Sequence, residues 1–167
     1  MIGSMWLTTK SANRGLSKKR SPKKRQAGQA AVEFALIIIF LMVFLLSFLE
    51  IVAMLYTYSA LADSAKEGVR YGIVHGTLSS ACNGPGPAVS PATCDATAAG
   101  VTTAVNTYAA YSLHNTGAMT ITPTYPDGTS TPSSRIRVVV SYPYQAFFGL
   151  GWPTITVNAA SEGRITF

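Results

Sequence analysis

Two places in this sequence carry side chains whose type and spacing could do chemistry. The first is Gly28-Gln29-Ala30-Ala31-Val32-Glu33-Phe34, where a lone carboxylate stands at the mouth of an apolar run. A carboxylate inside a membrane segment costs about 2.5–3.5 kcal/mol unless it lies near the headgroups or finds a partner. Glu33 then has two readings. It marks the cytoplasmic end of a span, or, in a chain beginning at Gln29, it pairs with a free α-amine one helical turn away or on a neighbouring subunit. The residues alone leave both open. The second place is Cys82 and Cys94, which flank eleven residues rich in glycine and proline. In an extracytoplasmic compartment that spacing reads as a disulfide pinning a loop, worth about 3 kcal/mol on the chain-entropy estimate. Zinc ligation fits poorly, because there is no second cysteine pair and the chain's histidines are only His75 and His114. Neither histidine has a spacing relation to a nucleophile, and no phosphate-binding glycine loop is present. We therefore expect no catalytic site, no cofactor and no metal.

The elements that hold these residues are set by an uneven charge distribution. The 167 residues carry a formal net charge of +6, yet eight of the thirteen basic side chains lie in residues 1–28, which hold no acid. The rest of the chain has a net charge of −2. The high pI describes a basic leader rather than a basic surface, which argues against nucleic acid as a partner. From Phe34 to Leu49 only Ser47 is polar, and counting on through Glu50 to Leu55 gives 22 residues. That is about 33 Å of helix at roughly 1.5 Å per residue, enough to cross a hydrocarbon core of about 30 Å. A buried soluble helix of this composition would need a larger core than this chain can build. The flanking cations keep the amino terminus cytoplasmic and place the rest across the membrane, with membrane lipid as a partner. Tyr56 and Tyr58 would sit near the outer interface.

Apolar periodicity continues through Ile51, Met54, Leu55, Tyr58, Leu61, Ala65, Val69 and Ile73, predicting one helix over about residues 30–74. On another face Ala60, Ser64, Gly68, Gly72 and Gly76 recur every four residues. Each interior glycine costs a helix roughly 1 kcal/mol relative to alanine, so this ridge calls for another backbone packed close against it. The packing partner is either the chain's own carboxyl-terminal domain, favoured for Gly72 and Gly76, or a neighbouring helix. Asp63, Lys66, Glu67 and Arg70 read as a solvated face of weak helix pairs.

From Thr77 the composition changes to threonine, serine, alanine, proline and glycine, and no lysine follows Lys66. Asp95 is placed to cap a helix carrying Val101, Val105 and Tyr108 on one side and ending near Ser112. Three strands follow, on Met119 and Ile121, on Ile136 to Tyr142, and on Ile155 to Ala159, with a turn at Tyr125-Pro126-Asp127-Gly128. The expected fold is α+β: a long amino-terminal transmembrane helix as a stick, and a small head of one helix and a three-stranded antiparallel sheet. The parts are a leader over 1–28, a helix over 29–76 that spans the membrane from about 34 to 55, and a head over 77–167. The segment Phe147-Phe148-Gly149-Leu150-Gly151-Trp152 is expected to cover the sheet core, with an exposed patch against a partner subunit or the outer leaflet as the competing reading.

A hydrophilic basic leader ending in glycine, with glutamate as the fifth residue after it and an aromatic next, resembles the processing site of type IV-related prepilins. The run Ala65-Lys66-Glu67-Gly68-Val69-Arg70-Tyr71 is similar to the TadE-like pseudopilins of the Tad (Flp pilus) apparatus. The resemblance covers about residues 26–76. Phe34, where major Flp pilins usually carry tyrosine, and the chain's size both point to a minor component. The resemblance implies a non-catalytic minor pilin of a Tad-type pilus or secretion apparatus that supports pilus biogenesis and surface adherence. It implies cleavage between Gly28 and Gln29 by a prepilin peptidase, insertion in the inner membrane, and assembly with other pilins and the Tad platform in a hetero- or homo-oligomeric filament. Glu33 and Phe34 would serve that assembly.

Two other readings compete. Ala60-Leu61-Ala62 before Asp63 matches an ordinary signal peptidase site, whose use would release a soluble binding module. An uncleaved single-pass anchor would instead hold an extracytoplasmic binding domain at the membrane.

Overall fold

A computed structural model of the chain describes residues 23–86, 94–149 and 153–167, with side chains from Gly28 onward. By packing, the chain divides into two compact units, residues 1–42 and 43–167. Helix α1 is Lys23–Val74. Its first turns thus form from residues expected to belong to the leader. Across the described part of the first unit, Gly28 to Met42, every side chain is exposed. The segment Gly28–Val74 is long and apolar enough to cross a membrane, and its most apolar stretch is only 6% buried.

The second unit contains the rest of α1 and the head. Helix α2 (Ala99–Ala109) is followed by a single 3-10 turn, Thr116–Ala118, and by strands β1 (Thr120–Thr124), β2 (Arg135–Tyr144) and β3 (Ile155–Arg164). The sheet order is β1-β2-β3 and both pairings are antiparallel. The fold is therefore α+β, with the long helix, short helix and three-stranded sheet that the sequence pattern predicts. Alternation explains β2: Ile136, Val138 and Val140 are fully buried, while Arg137 points to solvent. Pro123 is tolerated because β1 is an edge strand and need not donate on its free side.

One core holds the head. It joins Leu61, Ala65 and Val69 of α1 with Val101 and Val105 of α2, the β2 residues, Val157 and Ala159 of β3, and Ile165. Two details depart from the expected faces. The α2 stripe is Val101, Val105 and Ala109, an i, i+4, i+8 line, and Tyr108 lies 41% exposed beside it. Ile155, although it alternates with Val157, is at the open end of β3 and is exposed.

The carboxyl end of α1 is closed by partners from distant parts of the chain. The carbonyl of Ile73 accepts from Thr166 N–H at 3.0 Å, and that of His75 accepts from Asn83 N–H at 2.7 Å. The Tyr71 carbonyl lies 2.8 Å from His75 Nδ1, and the two rings stack with centroids 3.9 Å apart. These bonds satisfy carbonyls that a helix end otherwise leaves without partners.

Candidate functional site

The amino-terminal group is presented without cover. Gly28, Gln29, Glu33 and Phe34 are all exposed, and a Cβ placed on Gly28 would meet nothing within 4 Å. Gly28 also lies within α1, five residues after its start. The apolar surface that follows is continuous: Phe34, Ile37, Phe40, Leu41, Phe44 and Phe48 each expose between 50% and 76% of their area. A face of this size and composition has no place in water.

The small-residue ridge has the opposite character. Ala60, Ser64, Gly68, Gly72 and Gly76 are buried. A Cβ on Gly68 would strike Val105 Cγ2 and touch Val138, and one on Gly72 would strike Ile136 Cδ1. On Gly76 it would run into the backbone carbonyls of Phe167 and Ser130. The space over these glycines is filled by α2, β2 and the closing segments of the head. Val69 of the Glu67-Gly68-Val69-Arg70-Tyr71 run is in the core, and Tyr71 packs against Gly100. Glu67 and Arg70 form a pair at 3.8 Å and Asp63 and Lys66 one at 2.9 Å, all on the surface where such pairs contribute little.

Cys82 and Cys94 are joined in a disulfide. The residues between them from 87 to 93 lie outside the described ones. The neighbours of the two cysteines are bound to each other as well. Asp95 N–H donates to the Cys82 carbonyl at 3.1 Å and Gly84 N–H to the Asp95 carbonyl at 2.8 Å. Asp95 does cap α2, but from three residues before the N-cap position Ala98: its Oδ2 accepts from Ala99 N–H at 2.7 Å and its Oδ1 from Thr97 N–H at 2.9 Å. Hydrogen bonds from the Thr97 hydroxyl and from the Ala99 and Thr97 amides hold the Asp95 carboxyl below its ordinary range.

Two residues were not singled out by sequence reasoning. Asn83 is a junction: its Oδ1 accepts from Gly100 N–H at 2.9 Å, its carbonyl from Tyr125 Oη at 3.1 Å, and its amide binds the end of α1. Glu50 is the more unusual. It sits on α1 directly after the apolar run, yet it is only 4% exposed. Its Oε1 accepts from Tyr144 Oη at 2.5 Å and from Phe147 N–H at 2.9 Å, and its Oε2 from Phe148 N–H at 3.3 Å. The available signal was its type, a carboxylate inside the stretch counted as membrane-spanning. Phe147 and Phe148 do not cover the sheet core. They are 84% and 38% exposed and meet edge to face with centroids 5.2 Å apart, because the backbone beneath them is turned toward Glu50. Leu150, Gly151 and Trp152 of that segment lie outside the described residues. Beside it a cleft of about 820 Å³ opens between Leu49, Val52 and Tyr56 of α1 and Leu113, Tyr142 and Phe147 of the head. No cluster of three or more potential metal ligands occurs among the described residues.

Residues 28–70 match the family model described as TadE-like protein. The chain carries a TadE-like segment. It begins at Gly28, takes in Glu33 and the exposed apolar surface from Phe34 to Leu49, and ends at Arg70, two residues past Gly68 of the buried ridge. The match covers about a quarter of the chain, and the head beyond it is outside the TadE-like region. No curated protein and no solved structure matches the chain. A TadE-like segment suggests a Tad pilus-associated protein, and together with the apolar helix α1 it suggests membrane anchoring.

Proposed function

We propose that this chain is a minor pilin or pseudopilin of a Tad-type (Flp) pilus or secretion apparatus. It acts structurally and not as an enzyme. The observation that carries the reading is the TadE-like match over Gly28–Arg70, whose amino-terminal half coincides with an apolar stretch of helix that is largely exposed from Phe34 to Leu49. Such a surface serves first as a membrane anchor and then as a packing face for neighbouring pilin helices. The chain inserts in the inner membrane with residues 1–28 cytoplasmic and residues 77–167 outside. A prepilin peptidase cuts between Gly28 and Gln29. That bond lies in a helix and must be unwound for cleavage, a step that glycine makes easier because it holds helix weakly. The new α-amine at Gln29 pairs with Glu33 of the same or a neighbouring subunit and fixes the register of assembly. Incorporation of this subunit supports pilus biogenesis and surface adherence.

Release by signal peptidase fits the geometry less well. Leu61 and Ala65, on either side of the Ala62-Asp63 bond, are fully buried in the core, and a cut there would take Leu61 out of it. The test is the intact mass of the chain recovered from membranes of its own host. A chain starting at Gln29 is expected, and a retained leader would reduce the proposal to a simple anchor. In the assembled state, Glu33→Ala should insert normally yet fail to incorporate, and normal incorporation would remove the pairing mechanism.

A further inference from the structure

The chemistry at Glu50 fixes where the head meets the lipid. We propose that the segment Tyr144 to Gly149 rests in the outer headgroup region of the membrane, with the Phe147 ring in contact with lipid. The inference rests on the membrane anchoring of α1 and moves the outer boundary of the span from about residue 55 to Glu50.

From Phe34 to Leu49 the helix surface is apolar and open, so lipid can surround it. At Glu50 a charge appears, and burial takes it away from water. The head supplies three donors instead, the Tyr144 hydroxyl and the amides of Phe147 and Phe148. Donors arranged in this way remove the main cost of a carboxylate at the edge of hydrocarbon. They also hold the Phe147 backbone at the level of Glu50 along α1.

The side chains on the outer side of that clamp are of the opposite kind. Phe147 is 84% exposed although the core lies within reach of its neighbours. Phe48, Leu49, Ile51 and Val52 of α1, between 45% and 57% exposed, lie at the same level. The aromatic patch is thus continuous with the lipid-facing surface of the helix and is not an isolated feature of the head. The segment Tyr142 to Gly149 contains no charged residue, and Tyr56 and Tyr58, 59% and 50% exposed, follow Glu50 at about 9 and 12 Å along the helix. Tyrosines at that height match the aromatic belt of a membrane interface. The next charge on α1, Asp63, comes about 20 Å beyond Glu50, clear of the headgroups.

Single-tryptophan quenching of the full chain in phosphatidylcholine vesicles tests this. In a Trp6→Phe, Trp152→Phe background, tryptophan is placed at Phe40, Phe147 or Leu78, and vesicles with acyl chains brominated near the headgroup or near the terminus are compared with unbrominated ones. Phe40→Trp should lose fluorescence most with deep bromines, Phe147→Trp with shallow ones, and Leu78→Trp, beyond the far end of α1, with neither. Phe148→Trp gives an independent probe of the same segment should the first variant disturb the clamp. Quenching at Phe40 without quenching at Phe147 or Phe148 would overturn the proposal and assign the patch to solvent or a protein partner. Equal quenching at Leu78 would overturn it as well. Absence of quenching at Phe40 would refute the membrane anchoring itself, and this inference with it.

Discussion

The hydroxyl of Tyr144 donates to the carboxylate of Glu50 across 94 residues of sequence, at 2.5 Å. A hydrogen bond to a charged acceptor is worth about 1.5–3 kcal/mol, more than a neutral one. Tyr144→Phe should therefore lower head stability by about that amount, read as a shift in the urea midpoint of the full chain in detergent. Glu50→Gln keeps one acceptor oxygen but sets an amide N–H against a donor that the second oxygen now accepts from, so it should destabilise as well. A Tyr144→Phe protein as stable as the parent would mean that water replaces the phenol at no cost.

The glycine ridge makes an unusual forecast, because alanine is ordinarily the better helix residue by roughly 1 kcal/mol. Gly72→Ala and Gly68→Ala should nonetheless destabilise by about 1–3 kcal/mol, since the added methyl meets Ile136 and Val105 in a filled core. Gly76→Ala should be worse still, because backbone carbonyls cannot rotate away as side chains can. Thermal unfolding of the three variants would show whether that order holds.

Gly28→Ala is the contrasting case. It meets open space and should not disturb packing. If cleavage requires local unwinding at that bond, processing in the host should slow while membrane insertion is unchanged. Unaltered processing, measured by the ratio of long to short forms on a gel, would show that the glycine is dispensable.

Stability should respond to acid at one ion pair. Arg135 Nη2 donates to Asp127 Oδ1 at 2.8 Å and the Arg135 amide to Oδ2 at 2.8 Å, and these bonds lower the Asp127 carboxyl from 3.8 to about 2. A group with a depressed native pKa stabilises above its unfolded value and loses that contribution as pH falls toward the native one. Asp127→Asn should then flatten the loss of stability between about pH 4 and pH 2. On the alkaline side burial, then the Asp95 charge, push Tyr125 up to about 12. Its contribution is present below pH 10 and fades above it, so Tyr125→Phe should flatten that limb. Urea midpoints taken across both limits would measure each effect.

Removing the disulfide should matter only where it can form. Cys82→Ser is expected to cost about 3 kcal/mol in oxidising buffer and nothing further in reductant. An equal deficit in both conditions would mean that the serine disturbs packing.

What the sequence could disclose followed from periodicity. The alternation of Ile136, Val138 and Val140 placed β2 and its buried face, and the four-residue recurrence of small side chains pointed to close packing on α1. Local pattern was blind to pairing over long separations. Glu50 read as one more position in an apolar stretch, because the Tyr144 and Phe147 groups that shield it are 94 and 97 residues away. Asn83 sat in a glycine- and proline-rich loop with nothing to mark it as a junction. Phe147 was expected over the core on hydrophobicity alone, whereas its backbone is claimed by a carboxylate. In α2 the i+4 step to Ala109 prevailed over the bulkier Tyr108, because a small residue fits where the helix meets the sheet.

The bonds around Cys82 have a bearing on timing. Asp95 and Asn83 form an isolated parallel bridge, and Asn83 is in turn tied to α1, to α2 through Gly100, and to Tyr125. The backbone beside the bond is thus held to three other parts of the fold. A bond that forms only once those parts have met would serve as a clock for the completed head, whereas closure of the short loop in the unfolded chain would come earlier. A thiol-trapping time course after synthesis would tell the two apart.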